Sequence, residues 1–305
     1  MHKLAIIIPA YKADFLEKTL TSLALQTSKD FTVYIGDDAS PYDLYSIIAK
    51  YQDSLKIKYH VFPYNLGGAN LVAQWERCIR LCNDEEWICV FSDDDIMQAG
   101  AVEAFHNTII PDTCDVVHFN IEIINEQDEV ICPCPEFPPL LDDASFFDLL
   151  FRHQIVARMP EFIFRRSFLE RGIVNFDLAW RSDTATILAA AKRGGILTVP
   201  GNDNKVLWRA SFKNISGKEE LKERKNKANI AFFNWVKEKG LHIKMSRLYL
   251  LKTIIFSLEY DGAFRFFLDG LSTVVKLDYA KKYRFITLLL IIYRIPYHWM
   301  EVHRN

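Results

Sequence analysis

What this 305-residue chain lacks excludes several functions before any motif is read. It has no membrane-spanning run: the longest uninterrupted apolar stretch of its C-terminal region, "FITLLLII", has eight residues, where a spanning helix needs roughly 20. Glycine is scarce, 12 in all, and none follows the first apolar run, so "LAIIIPAYKAD" lacks the Gly-rich turn that NAD-linked chemistry or nucleotidyl transfer would want there. The six cysteines (78, 82, 89, 114, 132 and 134) lack paired metal-site spacing. Cys132-Pro-Cys134 has no second pair, and Cys78 and Cys82 stand one helical turn apart. Buried or idle thiols in a reducing compartment are therefore expected rather than zinc or disulfides. The formal net charge of −2 lacks the basic excess of a general nucleic-acid binder, and no nucleic acid is expected as a partner. No internal repeat is visible. "LAIIIPA" is too short for the apolar core of a signal peptide and runs at once into "KADFLEK", so a cytoplasmic protein is expected.

What is present is a globular composition, 50% hydrophobic and 25% charged, long enough for one large domain with an appendage or for two domains. Charge is unevenly spread: residues 241–305 hold 10 Lys or Arg against 5 Asp or Glu. The body, 1–240, reads as an alternation. "LAIIIPA" is a buried strand. Asp14 and Glu17 form a capping box before a helix that carries Leu16, Leu20 and Leu23 on one face. "FTVYIGDD" is a strand, "LYSIIAKY" a helix, "IKYHVF" a strand, "ANLVAQWERCIRLC" a helix and "EWICVF" a fourth strand. This β-α-β-α-β-α-β order predicts an α/β protein with a doubly wound sheet flanked by helices. Further on, "VVHFNIEII" reads as one strand, "VICPCPEFPPLLDD" as a Pro-rich excursion, and "EFIFRRSFLERG" as a strand running into a helix. "SDTATILAAAKRGG" reads as a helix with Ser182 at its N-cap, "ILTVPG" and "NKVLWRAS" as strands, and "GKEELKERKNK" as a mobile solvated stretch.

Ligands of such sheets sit at the carboxyl ends of the strands. Four loops arrive there: "PAY", "DDAS", "PYNLGG" and "SDDD". The last places Asp93, Asp94 and Asp95 side by side behind a buried strand. Adjacent like charges there repel by a few tenths to about 1 kcal/mol even when solvated, so an offsetting positive charge is expected. Oxygen ligands suit Mg²⁺ or Mn²⁺, which keeps open positions for phosphate oxygens. The constellation therefore implies a divalent cation shared with a diphosphate.

These stretches resemble the family 2 glycosyltransferases, inverting enzymes of the GT-A fold that use nucleotide sugars. "IIIPAYK" is similar to that family's strand-Pro-x-Tyr-Asn opening, "IGDDAS" to its Val-Asp-Asp-Gly-Ser element, "NLGGAN" to its Asn-x-Gly loop and "FSDDD" to its D-x-D segment, all in the family's order within the first 100 residues. The resemblance implies a Rossmann-like mixed sheet over 1–240, with a nucleotide-binding half at 1–110 and an acceptor-side half at 111–240. It implies that Pro9, Ala10 and Tyr11 meet the base and ribose, that Asp38, with Asp37 as competitor, accepts from the ring N–H of a uracil, and that Asn65 and Gly67 lie at the nucleotide. Two registers of the acidic segment remain open, Asp93 with Asp95 or Asp94 with Asp95. In either, Asp95 is the metal residue, and Asp93 or Asp94 serves ribose and sugar, with Asp93 also a candidate ligand.

Inversion needs a base for the acceptor hydroxyl. The family's Glu-Asp pair at a helix start is matched here by Ser182-Asp183, which makes Asp183 the base; an anion that merely stabilises the helix N-terminus is the competing reading. "VLWRAS" is similar to the family's Tyr-Arg-x-His stretch, which implies that Arg209 reaches the diphosphate, while Ser211 stands where a His ligand would be. Gln74, Trp75 and Arg77 follow the glycine loop as candidates for the donor pocket. The basic 241–305 region, with "FITLLLIIYRIPYHWM" beside Lys281, Lys282 and Arg284, fits two roles: an amphipathic surface on the inner face of a membrane, or a helical appendage packed on the catalytic domain or a second subunit of a homodimer. The activity implied is transfer of a sugar from a nucleotide diphosphate sugar, UDP-linked, to a glycan or lipid-linked acceptor in surface polysaccharide assembly. The alternative is an inactive carbohydrate-binding or scaffolding protein of the same fold.

Overall fold

Strand-forming sequence buried on both faces sets the centre of the structure. This computed structural model describes residues 3–211 and 219–257, with Leu289 and Ile292 as single positions. The elements run β1 (Leu4–Ala10), α1 (Leu16–Ala24), β2 (Phe31–Asp37), α2 (Leu44–Ile48), β3 (Ile57–Val61), α3 (Leu71–Ile79), β4 (Trp87–Val90), β5 (Ile96–Met97), α4 (Ala101–Asn107), β6 (Val116–His118), β7 (Ile121–Ile124), β8 (Val130–Pro133), β9 (Leu140–Leu141), α5 (Asp143–Phe151), β10 (Phe162–Arg165), α6 (Arg166–Leu169), α7 (Ser182–Gly194), β11 (Ile196–Thr198), β12 (Val206–Arg209), α8 (Lys222–Glu238) and α9 (Arg247–Phe256). Two units result. One holds residues 1–175 and 182–211, the other residues 176–181 and 212–305.

In the first unit an eight-stranded sheet has the order β3-β2-β1-β4-β10-β6-β11-β9. The strands β3, β2, β1 and β4 are mutually parallel, with Ala10 opposite Asp37 and Leu4 opposite Trp87. Helix α1 sinks Leu16, Leu20 and Leu23 into this core, and Trp87 meets Phe105 of α4 edge-on at 5.9 Å. Strand β10 runs antiparallel to β4 and β6, so its beginning, not its end, lies at the edge where β1, β2 and β4 finish. A second sheet, β5-β12-β7-β8, stands beside the acidic segment.

Four expectations change. The N-cap of helix α1 is Phe15 rather than Asp14. "VVHFNIEII" is two strands in two sheets, because the chain turns at Phe119–Asn120. The Pro-rich excursion contributes two short edge strands, β8 and β9, a position that tolerates proline. Most of the supposed solvated stretch is the start of α8, where Lys225 and Asn226 are buried.

In the second unit, residues 176–181 form a tight turn with positive φ at Leu178, Ala179 and Arg181. It is held by Trp180 Nε1 and Arg181 Nε, which donate to Asn229 Oδ1 of α8 at 3.2 and 2.9 Å, and by Arg224 on Asp177. The Lys225 ammonium lies 5.0 Å from the Trp180 ring. No helix of the described residues is long and apolar enough to cross a membrane. Leu289 and Ile292 apart, "FITLLLII" and its basic neighbours lie outside the described residues.

Candidate functional site

The four loops do meet. The peptide after β1 is fastened to the acidic segment by Asp93, whose Oδ2 accepts from the backbone N–H of Tyr11 and Lys12 at 2.9 and 2.8 Å. The Lys12 ammonium donates to Asp94 Oδ2 at 2.5 Å and stands 3.7 Å from Asp93 Oδ1. Here is one positive charge the triplet requires. Burial pulls the Lys12 ammonium downward, but Asp93 and Asp94 outweigh it and hold it above its ordinary value. Asp93 is pushed up by burial, against the pull of Lys12.

Asp95 is placed differently. It is wholly buried, its Oδ1 accepts the Arg209 backbone N–H at 2.8 Å, and its Oδ2 finds no partner among the described residues. Burial, then the neighbouring Asp94, push it up to about 8. A buried carboxylate oxygen without a donor costs about 1–3 kcal/mol or more. An orphaned oxygen of this hardness is of the kind that Mg²⁺ or Mn²⁺ takes; among the described residues no group of three His, Cys, Asp or Glu could hold a metal ion, so Asp95 would hold one only with ligands from outside the chain.

Strand β12 delivers Arg209 beside that carboxylate, but the guanidinium is fully buried. Its Nε donates to the Asp94 carbonyl at 2.8 Å, its Nη1 to the Asn125 carbonyl at 2.7 Å and to Asp128 Oδ1 at 2.6 Å, and it lies 4.3 Å from the Phe15 ring. Arg209 thus ties the acidic segment to the second sheet. Ser211 donates to Glu126 Oε1 at 3.2 Å.

On the other side of the crevice Asp38 clamps the glycine loop. It accepts from Leu66 N and Gly67 N at 2.7 and 2.8 Å, from Asn65 Nδ2 at 3.1 Å and from Arg77 Nη2. A Cβ on Gly67 would stand 2.7 Å from Asp38 Oδ2, so the loop closes on the carboxylate only with glycine there. Asp37 accepts from Ser40 N at 2.7 Å and Tyr59 Oη at 2.5 Å. Both carboxylates are at the rim and both are occupied by donors of the chain itself. Pro9 and Ala10 end β1, with the Ala10 carbonyl accepting from Asp38 N at 2.9 Å, and the Tyr11 side chain is exposed. Of the residues after the loop, Arg77 joins the clamp, stacked 3.9 Å from Phe62, and Gln74 Nε2 donates to the Gly36 carbonyl at 3.3 Å. Trp75 is half-buried.

Asp183 stands in the first turn of α7, half-buried, its Oδ1 accepting from Thr184 N at 2.6 Å and Thr184 Oγ1 at 3.2 Å. Ser182 is the first residue of that helix and fully buried. Two residues that the sequence reading passed over lie at the same edge of the sheet. Glu161, just before β10, is fully buried, its Oε1 accepts from Arg158 N, and its Oε2 has no partner among the described residues. Burial drives it well above the ordinary range, and the charge of Asp183 acts in the same direction. His118, at the end of β6, is stacked on Phe137 at 3.8 Å with neither ring nitrogen partnered among the described residues, and burial lowers it to about 3. The signals were a Glu directly before "FIF" and a His within an apolar run, both polar breaks in buried strands.

Comparison with known proteins agrees with this architecture. Two validoxylamine A glucosyltransferases, from Streptomyces hygroscopicus subsp. limoneus and S. hygroscopicus subsp. jinggangensis (strain 5008), are 42% identical over 67 residues. Those segments are 21% of this chain and only 15% and 16% of the relatives. Among solved structures, S. aureus TarS 1–349 in complex with UDP-GlcNAc superposes with a TM-score of 0.64 at 16% identity, over 98% of this chain and 84% of that one. S. aureus TarS gives 0.57 at 16% identity, over 96% of this chain and 55% of that one. At this identity the likeness concerns the fold, a mixed sheet of the GT-A type flanked by helices. The family model of Glycosyl transferase family 2 matches residues 5–172, more than half of the sequence, and this chain belongs to that family.

Proposed function

We propose that the protein is an inverting glycosyltransferase that moves a sugar from a UDP-linked donor to a hydroxyl of a glycan or lipid-linked acceptor. The observation that carries this reading is Asp95: a wholly buried carboxylate at the end of a crevice formed by β1, β2 and β4, with one oxygen that no donor among the described residues satisfies. A burial of that kind is stable when something outside the chain completes it. Mg²⁺ or Mn²⁺ held by Asp95, with Asp93 as the second candidate, would supply positive charge to the diphosphate that leaves. That TarS was crystallised with UDP-GlcNAc and with UDP supports a uridine nucleotide in a crevice of this shape.

The residues of the chain then divide the work. Tyr11 offers an exposed ring for the base, and the Asp38 clamp fixes the Asn65–Gly67 loop against which the nucleotide would lie. Asp183 takes the proton of the acceptor hydroxyl as that oxygen bonds to the anomeric carbon and the bond to the diphosphate breaks. A role in surface polysaccharide assembly, a cytoplasmic site at the inner membrane face, and membrane or homodimer contacts through 241–305 belong to the same reading.

Thermal shift with UDP tests it. Stabilisation by UDP is expected only with Mn²⁺ present, and Asp95→Ala is expected to abolish it; metal-independent UDP binding would remove Asp95 from its role. Failure to hydrolyse any common nucleotide sugar with Mn²⁺ would favour an inactive scaffold.

A further inference from the structure

The acidic segment already has a cation, and it is a residue of the chain. Lys12 stands where the family's opening motif has Asn, and its ammonium is 2.5 Å from Asp94 Oδ2 and 3.7 Å from Asp93 Oδ1. Its backbone cannot drift, because its own N–H is held by Asp93 Oδ2 at 2.8 Å. Its side chain is the open member of the group, 27% exposed against 7% for Asp93 and 8% for Asp94. A second cation at this end of the crevice, Arg209, is fully buried and bound to two carbonyls and Asp128. A flexible four-carbon stem with three rotatable donors is suited to exchanging partners, and a buried guanidinium held by two carbonyls and a carboxylate is not.

We propose that Lys12 is a resident counter-ion that doubles as a diphosphate ligand: it holds Asp93 and Asp94 while the crevice is empty, opposes a divalent cation arriving at Asp95 and Asp93, and turns to the donor's pyrophosphate once that cation is seated. The inference rests on the reading of the crevice as a nucleotide-sugar site. A strong anion arriving beside the carboxylates supplies the partner that Lys12 loses, so the exchange leaves no charge unpaired. Metal and nucleotide would therefore bind as a couple, each weak without the other, because metal alone must displace Lys12 with nothing to receive it.

Mn²⁺ titration followed by electron paramagnetic resonance, on the full chain without nucleotide, reads the competition directly. Lys12→Met is expected to bind Mn²⁺ about tenfold more tightly than the unsubstituted protein, since a full positive charge no longer opposes the ion. With Mn²⁺ saturating, the same variant is expected to bind UDP about tenfold more weakly by calorimetry, the loss of one charge-assisted contact. Lys12→Arg should retain the UDP affinity, and Lys12→Gln should repeat the Met result. Unchanged or weaker Mn²⁺ binding in Lys12→Met, or unchanged UDP binding, overturns the proposal. If the unsubstituted protein itself shows no Mn²⁺-dependent UDP binding, it is the nucleotide-sugar reading that fails.

Discussion

At the scale of single residues, the crevice is organised by carboxylates that each do a different job because their surroundings differ. Asp38 is saturated by donors and rigidifies a loop, Asp93 splices two loops through backbone N–H groups, and Asp95 keeps an oxygen open. Arg77 makes Asp38 tolerable: the pair is 10% and 4% exposed, and a buried charge that loses its partner costs roughly 3–5 kcal/mol. Arg77→Met should therefore destabilise by about 3 kcal/mol, the lower end of that range because Leu66, Gly67 and Asn65 still donate to Asp38; urea unfolding checks it. Gly67→Ala should cost about 1–3 kcal/mol by forcing the loop off the carboxylate and should weaken UDP binding in the same preparation. A fall in stability with UDP affinity intact would separate the loop from the nucleotide. The identity of these residues was legible in the string of letters. Their division of labour was not, since "DD" and "DDD" look alike until partners are assigned.

At the scale of elements, the strand order explains which residues can work together. The four parallel strands bring their ends to one edge, as an alternating sequence pattern requires. The antiparallel insertion of β10 between β4 and β6 adds the start of a strand to that edge, which is how Glu161 comes near the N-terminus of α7. Asp183→Asn keeps the shape and the hydrogen bond from Thr184 but removes the base. It is expected to lower the rate of transfer by about 10²–10⁴, with UDP affinity within a factor of about two, measured by single-turnover kinetics and calorimetry. Loss of UDP binding in that variant would reassign Asp183 to the donor side. Local propensity misjudged the elements where tertiary contacts override it. "GKEELKERKNK" looks solvated, yet α8 buries Lys225 with its ammonium 5.0 Å from the Trp180 ring, and a long apolar stem makes that possible.

At the scale of the whole molecule, buried titratable groups make stability depend on pH. His118 is lowered from 6.5 to about 3 in the folded chain. The unfolded state therefore binds the extra proton between those values, and stability is lost as pH falls from 6.5 toward 3. Glu161 acts at the opposite end: its folded value is raised, so its contribution is complete below its ordinary value of 4.5 and is lost as pH rises through the folded value. His118→Phe should remove the acid limb, and it also relieves two unpartnered nitrogens in a cluster with Phe137 and Phe162. The variant should gain at least about 1 kcal/mol over the unsubstituted protein at pH 5 and less at pH 7.5, by urea unfolding. An equal gain at both would show that packing alone, not proton linkage, governs the site.

The sequence by itself determined the alternation of strands and helices, the edge at which the loops meet and the acidic character of that edge, because periodicity and strand-end position are local properties. Only the tertiary structure decided that "VVHFNIEII" divides between two sheets, that Arg209 is locked to carbonyls and that Lys12 answers the charge of Asp93 and Asp94. The reason is physical: an ion pair between residues 82 positions apart in the chain exists only after the sheet has brought β1 beside β4, and nothing in either segment alone encodes the meeting.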